Sequence, residues 1–126
     1  MILFILQNAY QNEKYSFTNE PEWHSELMRS HTGRRLKEMI PEGSDFKVIN
    51  STGEIGDNPD SYFKPDLIYM QNWIDKIKPD VICACGVSSQ NACRQLGIKF
   101  IPAPHPAWRS LSKSMTEKVK KELCYG

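Results

Sequence analysis

Four short apolar segments alternate with segments of helical spacing, and this alternation constrains the fold more than any other feature of the sequence. The apolar segments are residues 2–6, 46–50, 80–86 and 98–103. Continuous apolar runs are typical of strands buried on both faces, as in parallel sheets whose helices cover both sides. The sequence therefore predicts a three-layer α/β/α sandwich with a four-stranded parallel sheet, formed as a single domain by residues 1–126.

The segments between and after the predicted strands have helical features. They are residues 23–39, 65–77, 88–97 and 114–124. Pro65 is expected to open the second helix, Ser88 to cap the third, and Ser114 with Glu117 to form a capping box on the fourth. Residues 51–61 are rich in turn formers, and this composition predicts a surface loop.

The composition indicates an ordinary globular protein. Hydrophobic residues make up 40% of the chain and charged residues 25%, while the net charge is only +1. Such a small net charge argues against attraction of the whole protein to nucleic acid. No apolar run approaches the roughly 20 residues of a membrane span. The opening MILFIL is too short and lacks the basic start of a signal peptide, so we expect a cytoplasmic protein that does not contact membranes.

The four cysteines do not form a metal-binding pattern. Cys83 and Cys85 alternate with apolar residues in a predicted strand, where free cysteines behave as small hydrophobic side chains. No C-x-x-C pair is followed by a second pair, so the spacing supports neither a zinc ribbon nor an iron–sulfur cluster. We therefore expect no metal and no cofactor.

Polar residues gather in the loops that follow the predicted strands. Ligands of parallel sheets bind outside the carboxyl ends of the strands, which selects residues 7–10, 50–57, 86–90 and 103–109. Asn8 could hold a water molecule, Tyr10 could contact a planar ligand, and Asn50 could pair with the edge of a base. Gly86 and Ser88 begin a helix whose amides could bind a phosphate. Both asparagines are also common turn residues, so a structural role is the alternative.

The segment PHPAWRS carries the strongest functional signal. Pro104 and Pro106 each fix φ at about −65° and thereby hold His105 in a rigid frame. An imidazole in this place can donate a hydrogen bond to a developing oxyanion. Trp108 and Arg109 offer base stacking and phosphate pairing side by side. The alternative is a solvent-exposed histidine with no role in binding or catalysis.

Together these motifs resemble the uracil-DNA glycosylase superfamily. The segment LQNAY is similar to its first motif, a strand followed by Gly-Gln-Asp-Pro-Tyr, at Gln7 and Tyr10, with Asn8 at the place of the water-activating residue. The segment HPAWR is similar to its second motif, His-Pro-Ser-Pro or His-Pro-Ala, at His105 and Pro106. FKVIN looks like the asparagine-bearing strand of the four-iron bacterial branch, and DVICACGVSSQNACRQLGI looks like the strand–Gly–helix segment.

The resemblance extends over roughly residues 2–113 and implies a base-flipping glycosylase. It implies that Asn50 recognises the pyrimidine, that Tyr10 excludes a methyl group at C5, and that His105 stabilises negative charge on O2. It also implies that Asn8 orients the attacking water. Further substrate-binding residues would be Gln7, Gly86, Ser88, Pro106, Trp108 and Arg109. The implied partner is uracil-containing DNA, and no protein partner is indicated.

Several departures from the superfamily motifs keep a second hypothesis open. Leu6 and Ala9 replace a glycine and a proline of the first motif, while Val87 and Ala107 stand where some members carry serines that bind phosphate. These changes favour a protein that binds a free nucleotide or a nucleic acid without cleaving it. Such a protein, for example a viral or mobile-element product, would sequester a nucleotide or block a nucleic-acid process.

Overall fold

The computed structural model describes residues 1–7, 9–10, 31–57 and 61–125, and its centre is a four-stranded sheet. The strands in chain order are β1 (Ile2–Leu6), β2 (Ala9–Tyr10), β3 (Phe46–Asn50), β4 (Ile55–Gly56), β5 (Val81–Cys85) and β6 (Ile101–Ala103). The helices are α1 (His31–Lys37), α2 (Leu67–Ile77), α3 (Val87–Gln95) and α4 (Lys113–Tyr125).

All neighbouring strands of the main sheet are parallel, in the order β3-β1-β5-β6. In register, Leu6 of β1 lies opposite Asn50 of β3, and Cys85 of β5 lies opposite Ala103 of β6. The short strands β2 and β4 form a separate parallel pair, in which the backbone of Tyr10 lies opposite Gly56. The predicted four-stranded parallel sheet is therefore confirmed.

Each face of the sheet buries its own set of side chains. On one face, Phe4 and Val48 pack with residues from the α1 and α4 regions, including Leu36 and Val119. On the other face, the buried set comprises Leu3, Ile5, Ile49, Met70, Ile82, Ala84, Ala92 and Cys93, with contributions from α2 and α3. Since neighbouring residues of a strand point to opposite faces, the continuous apolar run of β1 fills both cores. This arrangement confirms the three-layer sandwich.

The helix starts differ from the predicted ones. Asp66 caps α2 by accepting a hydrogen bond from the Tyr69 amide at 3.0 Å, so Pro65 lies one residue before the cap. Helix α3 begins with Gly86 as its N-cap, which places Ser88 inside the first turn rather than at the cap.

The last helix also starts before the predicted capping box. Helix α4 begins at Lys113, and the Ser112 hydroxyl accepts from the Met115 amide at 3.3 Å. The capping box predicted from Ser114 and Glu117 is therefore wrong. Ser112 and Ser114 lie two positions apart and are both of a type that caps helices, so the local sequence alone does not show which of them is the cap.

Three other predicted bounds change. Helix α1 covers only His31–Lys37, and residues 23–30 of the predicted helix lie outside the described part of the chain. The fourth strand is shorter than predicted, because only Ile101–Ala103 pair with β5. Within the predicted surface loop, Ser51 and Thr52 are buried and Ile55–Gly56 form β4. In the described residues, no helix has the length and apolar character needed to cross a membrane.

Candidate functional site

The carboxyl ends of the four parallel strands bring most of the predicted site residues to one edge of the sheet. Asn50 ends β3, Gln7 follows β1, Gly86 follows β5 and His105 follows β6. Because β3 and β6 are the outer strands, Asn50 and His105 lie near opposite ends of this edge. Three strand spacings, about 14 Å, separate those strands. We define this row of strand ends and the loops that leave it as the carboxyl edge.

The middle of the carboxyl edge is the topological switch point of the sheet. From β1 the chain passes to β3 on one side, whereas β5 passes to β6 on the other. Crevices at such points are the usual ligand sites of open α/β sheets. Gln7 and Gly86 leave the sheet from the two strands that flank this point. The rule therefore predicts a ligand site in the middle of the carboxyl edge, with Asn50 toward one end of the edge and His105 toward the other.

Gly86 and His105 approach each other closely. The backbone of Gly86 has φ +89° and ψ 159°, a region that only glycine adopts readily. Its amide donates to the Ala103 carbonyl at 2.8 Å, which ties the end of β5 to the end of β6. A Cβ placed on Gly86 would lie 3.4 Å from the His105 Cβ and 3.6 Å from its Cδ2. Glycine therefore lets the imidazole pack directly against the backbone at the start of α3.

The loop after β6 holds His105 in a defined orientation. The Ala107 amide donates to Nδ1 of His105 at 3.0 Å, and the Trp108 amide donates to the His105 carbonyl at 3.0 Å. Pro106 between them is buried. Because Nδ1 accepts a hydrogen bond, the neutral ring carries its proton on Nε2. His105 can therefore act as a neutral donor through Nε2.

Burial lowers the pKa of His105 from its ordinary value. Removing the ring from water disfavours the imidazolium, so the neutral form predominates at neutral pH. In the unfolded chain the histidine pKa is about 6.5. As the pH falls below that value, the unfolded chain takes up a proton before the folded chain does, so His105 contributes a loss of stability down to its folded pKa.

We expect nuclear magnetic resonance titration to show a pKa below about 6.5 for His105, with an Nε2–H tautomer on the alkaline side. Nitrogen-detected imidazole spectra measure both quantities, and the His105→Ala spectrum identifies the signal by its disappearance. A raised pKa, or a proton on Nδ1, would contradict the orientation described above.

Two buried serines hold the end of β1. Ser51 donates from its amide to the carbonyls of Leu6 at 2.9 Å and Gln7 at 3.1 Å, and its hydroxyl donates to the Gln7 carbonyl at 2.7 Å. Ser89 of α3 donates its hydroxyl to the Leu6 carbonyl at 3.0 Å. Both serines have no exposed surface. Ser51 therefore holds Gln7, the residue before Asn8, while Ser51 and Ser89 together hold Leu6 at the end of β1.

A side-chain amide holds the other half of the carboxyl edge together. Nε2 of Gln90 donates to the carbonyls of Ala103 at 3.0 Å and Ala84 at 3.4 Å. Ser51, Ser89 and Gln90 were not predicted as functional residues. Ser89 lies three and four positions before the buried residues Ala92 and Cys93, so helical spacing alone could have placed its polar side chain on the inner face of α3.

The remaining predicted site residues that the structure describes lie at the same edge with different exposures. Asn50 is only 2% exposed. The Ser88 hydroxyl donates to the Tyr62 hydroxyl at 3.3 Å, and Trp108 and Arg109 are exposed. Asn8 lies outside the described residues, and only the backbone of Tyr10 is described. The convergence of Asn8, Asn50 and His105 on one ligand therefore stays a prediction.

The start of α3 offers fewer backbone amides to a phosphate than the sequence predicts. The amide of Gly86 already donates to the Ala103 carbonyl and so does not point to a ligand. The following amides, of Val87 and Ser88, belong to the first turn of α3, where backbone donors have no acceptor within the helix. These two amides are the ones that a phosphate could contact.

Three of the four cysteines lie in the core rather than at the site. Cys83, Cys85 and Cys93 are buried and not disulfide-bonded. Burial raises the pKa of Cys93 to about 11, and contact with Cys83 together with burial raises that of Cys85. These two thiols are protonated at neutral pH and are poor nucleophiles. Within the described ranges, no three His, Cys, Asp or Glu side chains are placed to hold a metal ion.

Comparisons with known proteins add no relative to this description. No family model, curated protein or solved structure matches the chain. A function can therefore be inferred only from the residues of the carboxyl edge and the chemistry that they allow. The most specific of these features is a partly buried imidazole with a fixed tautomer, packed against a glycine beside the switch point.

Proposed function

We propose that this protein is a DNA glycosylase-like hydrolase that flips a uracil or modified pyrimidine out of its strand and cleaves the N-glycosidic bond. The observation that supports this most is the state of His105, whose ring is held neutral with its donor on Nε2. The finer identification of the sandwich as uracil-DNA glycosylase-like belongs to the same proposal. It is supported by the order of the motifs along the chain and by their common position at the carboxyl edge.

In the proposed reaction His105 stabilises the leaving base. The bond between N1 of the pyrimidine and C1′ of the sugar breaks, and its electron pair leaves with the base. Negative charge develops on O2, where the Nε2–H of His105 donates a hydrogen bond. A neutral imidazole suits this task, because it can donate this hydrogen bond at neutral pH without first becoming an imidazolium. A water molecule adds its oxygen to C1′, and its proton finally neutralises the base.

The other residues act on recognition and on the attacking water. Asn50 pairs with the polar edge of the pyrimidine, and Tyr10 excludes a methyl group at C5. Asn8 orients the water, a role in which an amide cannot supply the negative charge of a carboxylate. The positively charged sugar of the transition state is therefore less stabilised, and we expect slow turnover. Two buried serines, Ser51 and Ser89, support this arrangement by holding the carbonyl groups that precede Asn8.

The deciding experiment is an incubation with oligonucleotides that contain a single uracil, as single strands and as duplexes, followed by alkali to cleave abasic sites. We expect a product at the uracil position under single-turnover conditions with protein in excess. Absence of an abasic product with either substrate would contradict the hydrolase. Thermal stabilisation of the protein by free nucleotides without any base release would instead support the nucleotide-binding alternative.

A further inference from the structure

Large apolar side chains that face solvent are concentrated at the carboxyl edge. Among the described residues they are Tyr62, Ile68, Val87, Trp108 and Met115. Tyr62 is 57% exposed and Trp108 is 48% exposed. Single exposed apolar residues are common on protein surfaces, but a group at one end of a molecule indicates a contact surface. We call these five residues the apolar rim.

Their positions in the fold place all five at one edge. Val87 is the first residue of α3, while Ile68 and Met115 lie in the first turns of α2 and α4. Helices α2 and α3 connect parallel strands and run back from the carboxyl edge, so their first turns lie there. Helix α4 connects no strands, but its later residues lie beside Pro41 and Glu42, which precede β3, so its first turn also lies toward the carboxyl edge. The amide of Asp66, the cap of α2, donates to the Ser51 carbonyl at 2.8 Å, which joins this helix start to the end of β3.

Tyr62 is linked to the segment that packs against His105. Its hydroxyl accepts a hydrogen bond from Ser88, which is two residues from Gly86, the glycine that contacts His105. Trp108 follows His105 in the loop after β6, where its backbone is hydrogen-bonded to His105 and Leu111. The two exposed aromatic residues are thus joined to the segments that carry Gly86 and His105, Tyr62 through its hydroxyl and Trp108 through its backbone.

The charge of this edge does not suit a duplex. Binding to duplex DNA depends largely on lysine and arginine contacts with phosphates. Here the net charge of the chain is +1, and the exposed cations beside the two rings are Lys64, Arg109 and Lys113. No acidic residue occurs from residue 104 to residue 116, so Arg109 and Lys113 lie in a segment without carboxylates, whereas Lys64 lies two residues from the exposed Asp66. An unpaired strand exposes base faces that aromatic side chains stack on.

From the apolar rim and its few cations, we infer that the substrate is an unpaired nucleic-acid strand and that Tyr62 is a base-stacking residue, acting with Trp108. The inference rests on the proposed function for the class of ligand, which is a nucleic acid. It adds that the strand is unpaired and that Tyr62 stacks on its bases. A duplex hides its base faces in the stack, so it could use neither ring without prior opening.

The test is a binding titration with a fluorescein-labelled single strand of mixed sequence that contains no uracil, and with the same strand annealed to its complement. Fluorescence anisotropy gives both dissociation constants. We expect tighter binding of the single strand. Tyr62→Leu should weaken it by about 5- to 150-fold, the range measured for loss of one stacked base. Tyr62→Phe should retain the wild-type affinity, because it keeps the ring and loses only the contact with Ser88.

The matched control is Lys121→Ala, which removes an exposed cation far along α4 and should leave the affinity for the single strand unchanged. Equal or tighter binding of the duplex, or no binding of either form, would overturn the inference. Wild-type affinity in Tyr62→Leu would also overturn it, and would indicate that the apolar rim contacts a protein instead. Because the probe contains no uracil, single-strand binding without glycosylase activity would reject the proposed function and leave this inference standing.

Discussion

Replacing His105 by alanine should lower the single-turnover rate of base release by about 10²- to 10³-fold, the loss found when one donor to an oxyanion is removed. The imidazole is the group that we expect to stabilise negative charge on O2 of the departing pyrimidine. Alanine keeps the Cβ that packs against Gly86, so the contact between the two backbone segments is preserved. Cleavage of a uracil-containing oligonucleotide with protein in excess measures the effect.

The fold of this variant can be tested separately. Urea unfolding should show a small change, since the ring is only partly buried and its Nδ1 makes one hydrogen bond with the Ala107 amide. His31→Ala is the matched control, because it removes an exposed histidine at the start of α1. A His105→Ala protein that retains a rate within tenfold of wild type would show that another group carries the charge.

Replacing Gly86 by alanine should damage both stability and activity. At φ +89° and ψ 159° an alanine is strained, and such strain costs about 1–3 kcal/mol in the free energy of unfolding. The new methyl group would lie 3.4 Å from the His105 Cβ, which is an ordinary van der Waals contact, so it is the relief of the backbone strain at Gly86 that we expect to move His105. A displacement of a reacting group by about 1 Å can cost roughly 10²-fold in rate. Urea unfolding and single-turnover cleavage measure the two effects.

The Gly97→Ala variant distinguishes the effect of a strained backbone from the effect of a methyl group placed next to His105. Gly97 also has a positive φ, +69°, but nothing lies within 4 Å of the Cβ that alanine would add. We therefore expect a loss of about 1–2 kcal/mol from the left-handed backbone and an unchanged rate of base release. If Gly86→Ala loses stability but keeps the rate of Gly97→Ala, the close packing of Gly86 against His105 has no role in the reaction.

The layers of the fold were predictable because they depend on local periodicity. The run ILFIL has no polar face, which is compatible with a strand covered on both sides, and β1 indeed supplies side chains to both cores. Amphipathic spacing from Leu67 to Ile77 likewise identified α2. Because parallel strands have their carboxyl ends at the same edge of the sheet, the predicted loops that follow these strands lie at that edge as well.

The ends of the elements were predicted less well, since several residues compete for each one. Ser88 is a good cap by type, yet the positive φ of Gly86 starts α3 earlier. Ser112 caps α4 although Ser114 begins a better sequence match. The buried Ser51 and Thr52 look like surface-loop residues until β3 is placed beside β1. Each of these outcomes depends on which backbone group lies nearby.

By itself the sequence determined the alternation of strands and helices, the burial of β1 on both faces and the presence of a rigid histidine-bearing loop. Only the tertiary structure decided the strand order, which places Asn50 and His105 near opposite ends of the carboxyl edge. It also decided the tautomer of His105 and the contact between Ser88 and Tyr62. The physical reason is the separation of the interacting residues along the chain. Hydrophobic periodicity reflects residues that are close in sequence, whereas the hydrogen bond between Ser89 and Leu6 joins residues 83 positions apart and forms only once the chain has packed.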